Sequence, residues 1–112
     1  MRSVPQSGGS NAASTAQAAS LIIKAAPGVL FTLCIHNNKA GTQYIQLHDS
    51  ATLPADAAVP VLVINMATVT NNLLDFGALG KTFANGIVVC NSSTLATKTI
   101  GSADCFFSAT FS

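Results

Sequence analysis

From Ala18 onward the chain alternates short β-branched and aromatic runs with turn residues, and no 3.6-residue apolar period persists for the length of a helix. The runs are 18–25, 28–37, 42–49, 60–66, 69–76, 86–91 and 105–111, with a short extra strand at Lys81–Phe83. Seven or eight strands in so short a chain predict an all-β fold. The expected architecture is an antiparallel two-sheet β-sandwich of the jelly-roll or Greek-key type. Ala26, Pro27 and Gly28 read as a type II turn, with proline presetting φ and glycine accepting a positive φ, so the first two runs are expected to form a hairpin. The segments 50–59, 77–85 and 92–104 have the lengths of connections that cross between sheets.

The second pair of runs predicts its own register. With a turn centred on Ala40, His36 faces Tyr44, Cys34 faces Gln46 and Thr32 faces His48, which makes one polar-leaning face. The other parity pairs Ile35 with Ile45 and Leu33 with Leu47, and Phe31 continues that row. A slip of one residue would mix the two faces, so this apolar row is assigned to the core. Other runs do not alternate. Leu21, Ile22 and Ile23, the Val61–Val63 stretch and the run around Val88 are apolar on both parities, which leaves an apolar face outside a two-layer sandwich. Either a loop or another subunit must cover it, and Leu21, Ile22, Ile23, Val61, Val63 and Val88 are the candidate subunit-interface residues.

Residues 1–17 are small, polar and aperiodic, as in an extended N-terminal arm that is flexible or bound to a partner; the sandwich domain is then 18–112. The arm has one basic residue and no apolar core segment, so it does not read as a secretory signal, and the protein is expected to be made and used without export.

Composition turns the uncovered faces into a question of assembly. Of the 112 residues, 49% are hydrophobic and 8% charged, against about 25% charged in ordinary soluble domains. Five Lys and Arg against four Asp leave a net charge of +1, too little to keep a free domain apart from its neighbours. The longest apolar stretch, 57–64, is far short of a membrane span and contains Pro60. Arg2, Lys24, Lys39, Lys81 and Lys98 are spread along the chain and predict no basic patch for nucleic acid. A homo-oligomer, dimer or trimer, is the expected state.

The stock of reactive side chains is small. His36 and His48 lie too far apart on the predicted register to share a metal, and His48 and Asp49 point to opposite sides of an extended strand. With no phosphate-binding glycine loop, Cys-x-x-Cys or serine elbow, the sequence predicts no enzyme, no cofactor and no metal. Cys34, Cys90 and Cys105 match no metal motif and are expected to be free thiols, a Cys90–Cys105 disulfide being the alternative. Cys105 shares its parity with Phe107, Ala109 and Phe111 and is expected to be a small core residue. Without Trp and with a single Tyr, glycan binding would need a composite site between subunits.

The stretches SLIIKAAPGVLFTLCIHNN, YIQLHDSATLPADAAVPV and GIVVCNSSTLATKTIGSADCFFSATF resemble small β-sandwich virion proteins encoded among the structural genes of tailed bacteriophages. The resemblance runs from about Ser20 to the C-terminus and does not include the arm. It implies a capsid decoration (cement) protein that binds its own copies and the major capsid protein or other virion proteins. The alternative it implies is a tail, neck or fibre component with a host glycan-binding role. It further implies location in the virion after synthesis in the host bacterial cytoplasm, and brings no catalytic residues. One bare domain without repeats or coiled coil favours decoration over a fibre shaft.

Overall fold

The computed structural model describes residues 10–112, which form nine strands and no helix. These are β1 (Ser10–Ala13), β2 (Ser20–Lys24), β3 (Gly28–Asn37), β4 (Gln43–Asp49), β5 (Leu62–Met66), β6 (Thr70–Asp75), β7 (Lys81–Phe83), β8 (Ile87–Ser92) and β9 (Cys105–Phe111). The first sheet has the order β1-β9-β3-β6, with β7 continuing along the same β3 strand; the second has the order β2-β8-β4-β5. All pairings are antiparallel. Four of them nest: β4–β5 is innermost, and β3–β6, β2–β8 and β1–β9 enclose it in turn, while β3–β9 and β4–β8 join these pairs side by side into the two sheets. The fold is therefore the expected all-β two-sheet sandwich.

The two expected hairpins do not form. β2 and β4 belong to the second sheet and β3 to the first, so 25–27 and 38–42 are arches that carry the chain across the core. His36 consequently lies beside Asn71 and Phe106, and Tyr44 beside Asn65 and Ser92. The parity argument survives the wrong pairing, because an apolar row is buried equally well across a core as beside a neighbouring strand. Leu33 and Ile35 of one sheet and Ile45 and Leu47 of the other are at most 1% exposed and sit in one core cluster. Phe31 is half-buried and lies outside it.

Gly28 also has another role than the one expected. It is not among the glycines with positive φ, and a β-carbon there would lie 2.6 Å from the carbonyl oxygen of Ser112. Its missing side chain lets the C-terminus close on β3, where Val29 and Ser112 exchange two backbone hydrogen bonds of 2.9 Å.

Of the three long connections, the last two cross between sheets as expected and the first does not. Residues 50–61 return from β4 to its own neighbour β5, and 77–85 contain β7, after which the short 84–86 segment crosses. Asp49 holds that crossing, its carboxylate accepting the amides of Ala84, Asn85 and Gly86 at 3.1, 2.8 and 3.3 Å. These bonds keep the Asp49 carboxyl below its ordinary range.

The described part of the expected arm belongs to the sandwich. Ser10–Ala13 pairs with β9 as an edge strand, and Ser14 continues the pairing through its own amide to the Phe107 carbonyl at 2.8 Å. Ala18 still bridges to Cys105 of β9, and the next carbonyl, that of Ala19, accepts from Asn91 of β8, so the chain changes sheets there. Residues 1–9 of the arm lie outside the described residues.

Candidate functional site

The two outer faces of the sandwich differ in what covers them. Over the second sheet, two loops, 50–61 and 93–104, lie on β4 and β8 and are tied down from below. Gln46, fully buried, aims its Nε2 amide at the carbonyls of Thr94, Leu95 and Thr97 at 3.0, 3.2 and 3.1 Å. Two hydrogens serve three acceptors there, so they are shared. That commitment leaves Gln46 Oε1 as an acceptor for His48 Nε2–H at 3.0 Å, which assigns the Nε2-protonated tautomer to a neutral His48. Ser92 Oγ donates to the Thr94 carbonyl at 2.8 Å and accepts the amides of Thr94 and Thr99 at 3.1 and 3.0 Å.

The loops are also joined to each other. Lys98, 3% exposed, donates to Asp56 Oδ1 at 2.7 Å, and the same oxygen accepts the Ile100 amide at 3.1 Å. Backbone bonds of 2.7 Å run from Ala57 to Lys98 and from Lys98 to Ala58. Ala57 is held at φ 77°, a conformation that costs a non-glycine residue about 1–2 kcal/mol and that these bonds must offset. Beneath this cover, burial and the Lys98 ammonium hold the His48 pKa below its ordinary value, and burial pushes the Cys90 thiol up to about 11.

Of the six candidate interface residues, the cover removes Val88, which is fully buried under the chain's own loops, and Ile23 is lost to the core cluster at 5% exposure. Leu21 is half-buried against that cluster, and Val63 is half-buried. Ile22 and Val61 remain open at 45% and 47%, on the outermost strand β2 and just before the outermost strand β5. The structure does not bring these six into one patch. The residues missed by sequence were Gln46, Ser92, Asp56 and Lys98; the one signal for them was β8 itself, whose two apolar faces demanded a cover near the Ser/Thr-rich 92–99 segment.

The outer face of the first sheet carries no such cover. The register places Ala13, Ser108, Cys34 and Leu73 in one row across β1, β9, β3 and β6, and Phe106, His36 and Asn71 in the next. Small side chains beside large ones leave a trough of about 570 Å³ lined by both rows. Leu73 is 59% exposed and Phe106 39%. The His36 and Phe106 rings are 6.3 Å apart and tilted, and His36 Nδ1 is hydrogen-bonded to Asn71 Oδ1. The imidazole is thus engaged by an amide, and the arrangement is one for contact through apolar surface. Among the described residues, no three His, Cys, Asp or Glu side chains are grouped to hold a metal ion.

The cysteines fall into two environments. Cys34 is exposed; Cys90 and Cys105 are buried. Cys105 belongs to the core cluster, as expected, but also receives the side-chain amides of Asn91 and Gln43 at 3.5 and 3.6 Å, and burial raises its pKa. In the folded protein a thiol reagent is expected to modify Cys34 alone, the other two reacting only after unfolding. Cys105→Ala should cost about 1 kcal/mol through lost packing, measured by urea denaturation. Modification of three thiols at equal rates in the native protein would contradict this assignment.

No family model matches the chain, and no curated protein matches it. Among solved structures, the coat protein of Tobacco streak virus is similar over 96% of this chain and 89% of that one, at 12% identity and a TM-score of 0.41.

Proposed function

We propose that this protein is a structural component of a virus particle, a bacteriophage capsid decoration or cement protein that works by binding its own copies and the shell, without turnover chemistry. The observation that carries the reading is the contrast between the two outer faces. The chain spends two loops and an ion pair with a buried lysine to close one of them, yet leaves Leu73, Phe106 and Cys34 open on the other, in a domain with very few charges to keep it apart from neighbours. The nested strand pairing, read as a jelly roll, supports the same conclusion, since that wiring is used by capsid domains, although it also serves lectins and cupins. The resemblance of 20–112 to phage virion proteins adds to it.

A tail, neck or fibre component that touches host glycan is the second reading, favoured by one feature: Phe106 offers an exposed ring beside the polar His36 and Asn71. Quantifying the protein in purified particles tests both. Many copies per particle, released together with loss of shell stability, are expected for decoration; a few copies point to the tail; complete absence overturns the virion reading.

A further inference from the structure

We infer that the uncovered outer face of the first sheet is an isologous interface, on which a second copy of this chain docks with a two-fold axis running along β3 over Cys34. The inference deepens the assembly reading by naming the surface and its occupant.

Shape argues for a second copy. In the row Ser108, Cys34, Leu73, the side chains are small on β9 and β3 and large on β6. A two-fold axis parallel to β3 reverses the strand order over the face, so β6 of one copy lies above β9 of the other. Each Leu73, 59% exposed, then sits over Ser108 of the second copy, in the low part of the trough beside Phe106. The projecting group and the recess that receives it come from the same surface, as an isologous contact requires.

Area sets the strength of the contact and charge permits it. With the axis on β3, the strands β9, β3 and β6 of one copy overlap those of the other, and their 7, 10 and 6 residues cover about 360 Å² in each copy at about 3.3 Å per residue and 4.8 Å between strands. Two such faces bury about 700 Å², the size of a weak contact that forms and dissolves with concentration. Along the two rows that line the trough the only titratable side chains are Cys34 and His36, and the neighbouring row adds Asp75 opposite Thr32. No lysine or arginine has to be desolvated to close the contact. The second sheet could not offer an equivalent face, because loops 50–61 and 93–104 occupy it.

The test uses the full chain. Sedimentation over a concentration series is expected to show a monomer–dimer equilibrium, and Leu73→Lys, at an exposed position, is expected to weaken it at least about tenfold by placing an unpaired charge in the contact. An unchanged circular dichroism spectrum and melting midpoint would show that Leu73→Lys still folds. A short bifunctional maleimide should link two copies through Cys34, the exposed thiol on the axis; Cys34→Ser should abolish the product and leave association intact. A monomer at all concentrations, a closed trimer, or dimerisation unaffected by Leu73→Lys overturns the inference. The outcomes separate it from the virion reading: a monomer found in many copies on particles defeats the interface alone, whereas a dimer absent from particles defeats the virion reading alone.

Discussion

Gln46→Leu is expected to lower folding stability by about 2–4 kcal/mol, far more than its change in volume would suggest. The leucine side chain fits a buried strand position, but it cannot donate to the carbonyls of Thr94, Leu95 and Thr97, nor accept from His48 Nε2. Each buried polar group left unpaired costs about 1–3 kcal/mol, and the loop can recover part of that by lifting toward water. The expected result is therefore a local opening along with a global loss. Urea denaturation should report the loss. Hydrogen exchange should accelerate at the amides of Lys98, Thr99 and Ile100, which are bonded to Ala58, Ser92 and Asp56, while the core amides of β3 keep their relative protection. A loss below about 1 kcal/mol, with unchanged exchange in the loop, would show that the Gln46 contacts do not hold the cover.

Acid should loosen the same cover in two stages. His48 has a folded pKa below its ordinary value of 6.5, so the unfolded chain takes up its proton first as pH falls. Its contribution to stability is complete above about pH 6.5 and is progressively lost below it, down through the lower pKa of the folded state. The physical cause is a charged imidazole forming in a buried place under the influence of the Lys98 ammonium, whose own carboxylate partner is Asp56. Asp49 and Asp56 act in a lower window. Hydrogen bonds to backbone amides, and in Asp56 the bond from Lys98, hold both carboxyls below the ordinary 3.8, so their stabilisation persists above that pH and disappears as pH falls through the depressed values. The urea midpoint should thus be flat between about pH 7 and 8, decline below about 6.5, and fall again below about 4, while above about 8.5 the raised thiols of Cys90 and Cys105 lower it as the unfolded chain ionises first. His48→Gln should remove the first decline and keep the second. An identical profile in the wild type and His48→Gln would assign the first decline elsewhere.

The legible part of this protein is its strands. Gly28–Asn37, Lys81–Phe83 and Cys105–Phe111 were read at the boundaries the structure shows, because turn residues or a polar segment flank each run. The core parity of Leu33, Ile35, Ile45 and Leu47 was legible too, since period-two alternation is a property of the strand alone. Pairing was not. The 38–42 segment can turn as a hairpin or arch over a core, and the choice depended on edges far away in sequence: β3 is flanked by β9 and β6, β4 by β8 and β5.

The candidate site divides along the same line. The amino-acid sequence determined by itself that β8 would be apolar on both faces and that few charges would be available to keep copies apart, as both follow from residue type. Only the tertiary structure decided what answers those demands. It laid 50–61 and 93–104 over Val88 and Cys90, fastened by Gln46 and by Lys98 to Asp56, and left the Cys34, Leu73 and Phe106 face open. The physical reason is that burial is a sum over neighbours: a side chain's apolarity is local, but whether it is covered depends on contacts whose partners lie some fifty residues away, such as Gln46 with Leu95 and Thr97.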